Sequence, residues 1–306
     1  MSFGASPTSQ KGRSGTVAET RATPRSSATT STEASTHRYA QLTWPEVAEW
    51  ATRDPVCVIP VATLEDHGYH LPIDTDVVIA ETLADMAVQR CAGRALLLPT
   101  VTHGYTPHHM DFPGPITIDW KTFVDGLLDI GRSLHRHRFT RILFVNGHGS
   151  NVPLVDMAAR LLMVERPETT AASFWYLSGP ESADLLRRTR DSDAPGGMAH
   201  ACELETSLYL AIRPELVQMD RAVREIPDWG SPNVWMDWND GPLSIKGAWS
   251  GWTESGVMGD ATVATVEKGR LWLEQAVTEV AEYIDELAVR APRPGRDHHE
   301  PGEGPR

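Results

Sequence analysis

Four short apolar runs, each followed by a stretch with helical periodicity, decide what this chain can fold into. Val56-Cys57-Val58-Ile59-Pro60-Val61 shows no polar alternation, which suits a strand covered on both faces. Ala95-Leu96-Leu97-Leu98-Pro99, Arg141-Ile142-Leu143-Phe144-Val145 and Ala171-Ala172-Ser173-Phe174-Trp175-Tyr176 read the same way. Between and after them lie helical patterns. Residues 77–91 form one, with Thr75 and Asp76 as cap candidates, and residues 120–136 form another behind Asp119. Residues 153–164 and 203–212 follow, and residues 265–289 carry a single seam of Leu273, Val277, Val280, Ile284 and Leu287. Strands alternating with helices predict an α/β fold, a three-layer α/β/α arrangement around a mostly parallel central sheet.

The chain of 306 residues is long enough to bury a sizeable core. Its formal net charge of -13 argues against a nucleic-acid partner, because phosphate binding needs a basic surface. No stretch approaches the roughly 20 apolar residues of a membrane span. The three cysteines, Cys57, Cys91 and Cys202, have no CxxC spacing, and such a sparse, odd set suits free buried thiols in a reducing cytoplasm. Residues 1–38 are dominated by Ser, Thr, Ala, Arg and Gly and are expected to be a disordered tail, with a targeting or docking segment as the weaker alternative. Residues 292–306, rich in Pro, Gly and charge, are expected to be a second tail, which leaves 39–291 as the folded body.

Open parallel sheets place their sites at the carboxyl ends of the strands. The polar motifs gather after the runs. Glu65-Asp66-His67-Gly68-Tyr69-His70-Leu71-Pro72-Ile73-Asp74-Thr75-Asp76 follows the first, a segment from His103 to Asp111 the second, and Asn146-Gly147-His148-Gly149-Ser150-Asn151 the third. Met198-Ala199-His200-Ala201-Cys202-Glu203-Leu204-Glu205-Thr206-Ser207 is expected to follow the fourth. Carboxylate and imidazole are the donors that hard and borderline divalent metals select. Glu65 and His67 point to one side of an extended backbone, and Asp76 has two oxygens with which to bridge two cations. His148 lies between glycines that permit close approach. A second carboxylate is still wanted, with Glu205 the better candidate and Glu203 the other. His103, His108, His109, His70 and Asp74 are expected to support the site rather than to ligate.

These motifs resemble the creatininase (creatinine amidohydrolase) family. Glu65 to Asp76 is similar to its E-x-H-G…H-L-P…T-D signature, Asn146 to Asn151 to its N-G-H-G-x-N loop, and His200 to Ser207 to its H-A-G-E-x-E-T-S segment. Phe112-Pro113-Gly114 matches its F-P-G turn, and Gly256-Val257, Gly259-Asp260, Ala264-Thr265 and Glu267-Lys268-Gly269 match its C-terminal pattern. The likeness runs collinearly over residues 44–287. It implies a creatininase-like fold and two divalent metal ions per subunit, zinc or manganese. Glu65 and His148 would hold one ion, His67 the other, and Asp76 would bridge them. Creatininase itself takes a further ligand from a Glu where this chain has Ser150, and other branches point to Glu205 instead. His200 matches the family's catalytic histidine, and Glu205 is placed with it in catalysis. Cys202 stands where the family usually has Gly.

The reading that results is a metal-dependent amidohydrolase that cleaves the C–N bond of a small amide, lactam or formamide. A family peptidase acting on a short peptide and a non-catalytic oligomeric binding protein are the alternatives. His109, Ser150, Trp175 and Trp235 are assigned to substrate contact. Residues 229–252 hold Trp229, Trp235, Trp238, Trp249 and Trp252, which would line a substrate pocket or a subunit interface. The partners expected are a small-molecule substrate and further copies of the chain in a cytoplasmic homo-oligomer, up to a hexamer.

Overall fold

In the computed structural model, residues 36–299 apart from 239, 240, 294 and 297 are described. Residues 1–35 of the expected first tail, and 294, 297 and 300–306 of the second, lie outside them. The order of elements is α1 (Trp44–Ala51), β1 (Val56–Val61), α2 (Thr75–Arg90), β2 (Ala95–Leu97), α3 (Trp120–Arg136), β3 (Arg141–Asn146), α4 (Val152–Glu165) and β4 (Thr170–Trp175). There follow α5 (Pro180–Thr189), β5 (Met198–His200), α6 (Glu203–Ile212), β6 (Arg224–Glu225), β7 (Met258–Asp260) and α7 (Val266–Val289).

The four long apolar runs pair in parallel in the order β2-β1-β3-β4. Alternation along β1 shows why the fold has three layers. Val56 and Val58 face a core shared with α2, α6 and α7, through residues such as Ile79, Leu208 and Val280. Cys57, Ile59 and Val61 face a second core built by α3 and α4, through Leu127, Phe123 and Leu162. A strand buried on both sides has no use for polar alternation, and its sequence shows none. All three cysteines are free and buried.

Local signals explain the helix starts. The Asp119 side chain accepts from the Lys121 N–H at 2.9 Å at the head of α3, and Thr265 accepts from the Lys268 N–H at 3.2 Å at the head of α7. Helix α1, absent from the sequence expectations, has a Thr43–Glu46 capping box with Pro45 in its first turn. Helix α2 starts two residues earlier than expected, so Thr75 and Asp76 lie inside its first turn and Asp74 takes the cap position. The described chain also makes contacts before Tyr39. The His37 carbonyl accepts from the Leu97 N–H at 2.8 Å, and Arg38 pairs with Asp85 at 2.6 Å.

One connection differs from the sequence expectation. The segment from Met198 to Ser207 does not follow β4 directly; α5 intervenes, and β5 belongs to a separate antiparallel sheet of order β5-β7-β6. Strands of two or three residues, one of them containing Gly259, carry too little periodicity to be read from sequence. Helices α6 and α7 then cross so closely that a Cβ on Gly269 would lie 1.8 Å from the Ser207 carbonyl oxygen. Gly269→Ala should therefore lower stability by about 3 kcal/mol, the upper part of the overpacking range. Calorimetry should show this as a fall in Tm of roughly 6–12 °C.

Candidate active site

The site begins where β1 ends. Gly68, at φ +65°, turns the chain between His67 and Tyr69, and a Cβ there would strike Val257 at 2.5 Å. The turn brings Glu65, His67 and, through the first turn of α2, Asp76 to one buried spot, with at most 2% of each residue exposed. His148 arrives from the end of β3, and Glu205 from the first turn of α6.

The Asp76 carboxylate divides these donors into two sets. Its Oδ2 lies 3.2 Å from His148 Nδ1, which is also 3.2 Å from Glu65 Oε1. Its Oδ1 lies 3.3 Å from His67 Nε2, which is 3.9 Å from Glu205 Oε1. Two donors each about 2.1 Å from a shared cation stand roughly 3.0–3.4 Å apart for angles between square and tetrahedral. A charge-assisted hydrogen bond would be near 2.8 Å. Among the described residues His67 Nε2 and Asp76 Oδ2 have no hydrogen-bond partner, although both are buried. Donor type, spacing and orphaned atoms suit a divalent cation, and Glu65, His67 and Asp76 each offer a donor atom within 4.8 Å of the others.

The electrostatics point the same way. Burial would raise the Glu65 carboxyl, but the neighbouring imidazoles of His109 and His148 hold it well below the ordinary range. Burial would depress His148, yet Glu65 and Asp76 push it up to about 10. His67 is likewise raised by Asp76 and Glu205 against the effect of burial. Three buried carboxylates in this space draw positive charge to themselves.

Around this centre the remaining side chains are fixed. Thr106 Oγ1 donates to Glu65 Oε2 at 2.6 Å. His200 Nε2 lies 2.8 Å from the Asp66 carbonyl oxygen, which leaves its Nδ1 3.7 Å from Glu65 Oε1. Burial and the nearby His67 and His109 lower the His200 pKa. His109 Nδ1 lies 2.6 Å from Asp66 Oδ1, and its Nε2 3.6 Å from Glu65 Oε2. His70 contacts Thr206 Oγ1 at 2.8 Å, and Asp74 accepts from the Tyr209 hydroxyl at 2.9 Å, so both tie the first loop to α6.

Glu203 is engaged elsewhere. Its carboxylate accepts the backbone N–H groups of Asp191 and Ser192 and pairs with Lys268 Nζ at 2.5 Å. Glu205 instead accepts from the Ala201 N–H with Oε2 and turns Oε1 toward His67.

A cavity of about 790 Å³ opens over the centre. His109, Ser150 and Trp175 line it. Trp235 does not; among the described residues it lines a neighbouring cavity of about 520 Å³, while Trp238 and Trp249 reach the first. Trp238 stacks on Trp175 with ring centroids 4.9 Å apart. Ser150 Oγ lies 3.0 Å from His108 Nε2, and burial, with the His109 ring beside it, lowers His108 to about 3, keeping that ring neutral. His103 is exposed and takes no part. Cys202 lines the cavity with its thiol pushed up by burial. The sequence gives no role to Thr106, whose place beside Glu65 depends on a neighbour 41 residues away.

A three-layer α/β/α sheet with histidine and carboxylate donors at its rim is the setting of a hydrolase, and comparison with known proteins gives the family. The chain matches the creatininase (creatinine amidohydrolase) family over residues 40–284 and belongs to it. It is 30% identical over 260 residues to the creatinine amidohydrolase of Pseudomonas putida, covering 80% of this chain and 95% of that one. It is 31% identical over 270 residues to the mycofactocin precursor peptide peptidase of Mycobacterium ulcerans, covering 83% and 88%. A crystal structure of creatininase superposes with a TM-score of 0.72 at 26% identity, covering 84% of this chain and 100% of that one. Creatininase structures of Zn-Zn type and with Mn are similarly close, at a TM-score of 0.71 each.

The role of Glu203 can be checked apart from any metal. Removing Lys268 leaves a fully buried carboxylate with only its backbone donors, and losing one partner of a buried pair costs about 3 kcal/mol. Urea unfolding should show that loss for Lys268→Met, with much of it recovered in the Lys268→Met, Glu203→Gln double variant.

Proposed function

We propose that this protein is a metal-dependent amidohydrolase that uses two divalent ions, zinc or manganese, to hydrolyse a C–N bond. The observation that carries this is Asp76, whose two oxygens face two separate donor sets, Glu65 with His148 and His67 with Glu205. When bound, the two cations would lower the pKa of water toward neutrality and polarise the substrate carbonyl.

The chain supplies the rest. Thr106 holds Glu65 in place by donating to Oε2, so the Oε1 edge stays turned toward His148. His200 keeps its proton on the nitrogen that meets the Asp66 carbonyl, because a carbonyl can only accept. Its Nδ1 lone pair therefore faces the reacting centre, able to take up a proton and pass it to the leaving nitrogen. An amide nitrogen leaves poorly as an anion, so its departure needs this proton. Trp175, Trp238 and Trp249 offer flat walls to a planar group, and Ser150 with neutral His108 offers hydrogen bonds at the edge.

A second reading is favoured by one feature, the cavity volume of about 790 Å³. Pockets for drug-sized ligands measure roughly 300–1,000 Å³, more room than a small lactam needs, and relatives include peptidases of a peptide precursor. A panel of lactams, formamides and short peptides should show turnover among the small amides. Turnover of peptides alone would establish the second reading instead.

Metal analysis tests the centre directly. Wild-type protein should carry two divalent ions per chain. Asp76→Ala should lose most of both and at least about a hundredfold in activity, the upper part of the range for disrupted metal sites. Glu205→Gln should lose metal, whereas Glu203→Gln should not. Full occupancy in Asp76→Ala would refute the bridging role.

A further inference from the structure

Asp66 sits between Glu65 and His67, yet it makes a different set of contacts. Its main-chain oxygen meets His200 Nε2 at 2.8 Å, and its carboxylate meets His109 Nδ1 at 2.6 Å. One residue thus holds two imidazoles, by different nitrogens. A carbonyl and a carboxylate both accept, so each histidine must place a proton on the nitrogen facing Asp66. His200 then carries its proton on Nε2 and His109 carries its proton on Nδ1.

The free nitrogens converge. His200 Nδ1 is 3.7 Å from Glu65 Oε1, and His109 Nε2 is 3.6 Å from Glu65 Oε2. Donor atoms of these three residues all lie within 4.8 Å of one another. The rings stand edge to face with centroids 4.6 Å apart, and Trp249 covers both, 4.8 Å from His109 and 5.6 Å from His200. Gly256 completes the seat. It lies at φ +85°, and a Cβ there would fall 2.4 Å from Asp66 Oδ2. The buried carboxylate is bonded through Oδ1 to the segment bearing His109, while Oδ2, which has no hydrogen-bond partner among the described residues, abuts the chain before β7.

We propose that Asp66 is the positioning residue of this site, setting His109 and His200 in opposite tautomers so that both present an acceptor lone pair to one point in the cavity. The proposal rests on the amidohydrolase reading and names its substrate class. Two acceptors facing one point select a group that brings N–H to them, so the scissile nitrogen carries at least one hydrogen. A fully alkylated nitrogen would leave both lone pairs unanswered in a buried site, and an unmet buried acceptor is costly. His109 becomes a specificity residue through Asp66.

Histidine-labelled, zinc-loaded protein tests this without reference to turnover. Long-range proton–nitrogen NMR spectra should show the Nδ1–H form for His109 and the Nε2–H form for His200. In Asp66→Asn the main-chain carbonyl is unchanged, so His200 should keep its form. His109, facing an amide that can also donate, should shift toward the Nε2–H form. Zinc content should hold while kcat/KM falls about 10–100-fold, as for other residues that orient a site's imidazoles. A wild-type His109 protonated on Nε2, or an Asp66→Asn spectrum identical to wild type, would overturn the positioning role. The wild-type spectrum decides the point even if the variant does not fold.

For the substrate class, formanilide and N-methylformanilide form a matched pair. Formanilide should be preferred by about tenfold or more in kcat/KM, and equal turnover would sink the N–H requirement. If neither this pair nor any other amide is hydrolysed, the amidohydrolase reading fails, while the tautomer spectrum still judges Asp66.

Discussion

Three carboxylates buried within a few ångströms of one another set the terms for this molecule. Glu65, Asp76 and Glu205 are at least nine-tenths buried, and an isolated buried carboxylate is strongly unfavourable. Every nearby element answers that charge. His67 and His148 are drawn toward protonation, Thr106 and the Ala201 N–H donate to carboxylate oxygens, and α2 and α6 both bring their acids in the first turn, where the helix dipole favours negative charge. The three-layer fold supplies a rigid rim on which such a cluster can be held. Ordinary packing alone would never bring these groups together.

Most of the fold was legible in the sequence, for reasons tied to particular segments. Helix α3 lies where the amphipathic pattern behind Asp119 placed it, since cap and periodicity agree there. Helix α2 begins earlier than expected, with Thr75 and Asp76 in its first turn and the Thr75 hydroxyl donating to the Pro72 carbonyl at 2.6 Å. The small antiparallel sheet could not be read, because its strands of two or three residues carry no period. It is specified by what it packs against, including the Met236, Trp249 and Met258 cluster.

The candidate site divides in a similar way. Glu65, His67, Asp76, His148 and Glu205 converge in space as their motifs suggested. Glu203 and Glu205 stand on one helix turn with the same chemistry, and only tertiary neighbours separate them, Lys268 for one and His67 for the other. The tryptophans of the 229–252 segment show the limit most clearly. Composition marked the loop as aromatic, but which ring faces the cavity depends on the path of an irregular backbone. Trp238 and Trp249 face it, and Trp235 turns to the neighbouring cavity.

The seat of Gly256 against Asp66 and Gly68 has a consequence for the order in which the molecule is built. Residues 190 apart in the chain interlock there, and Val257 lies where a side chain on Gly68 would have to go. A nascent chain that has finished β4 already holds Glu65, His67, Asp76 and His148, but lacks Glu205 and the turn that fixes Asp66. Contacts of such long separation form late, after the loops between them have closed. The first loop thus acquires its final shape only when the last quarter of the chain docks, so maturation of the centre reports completed folding rather than guiding it.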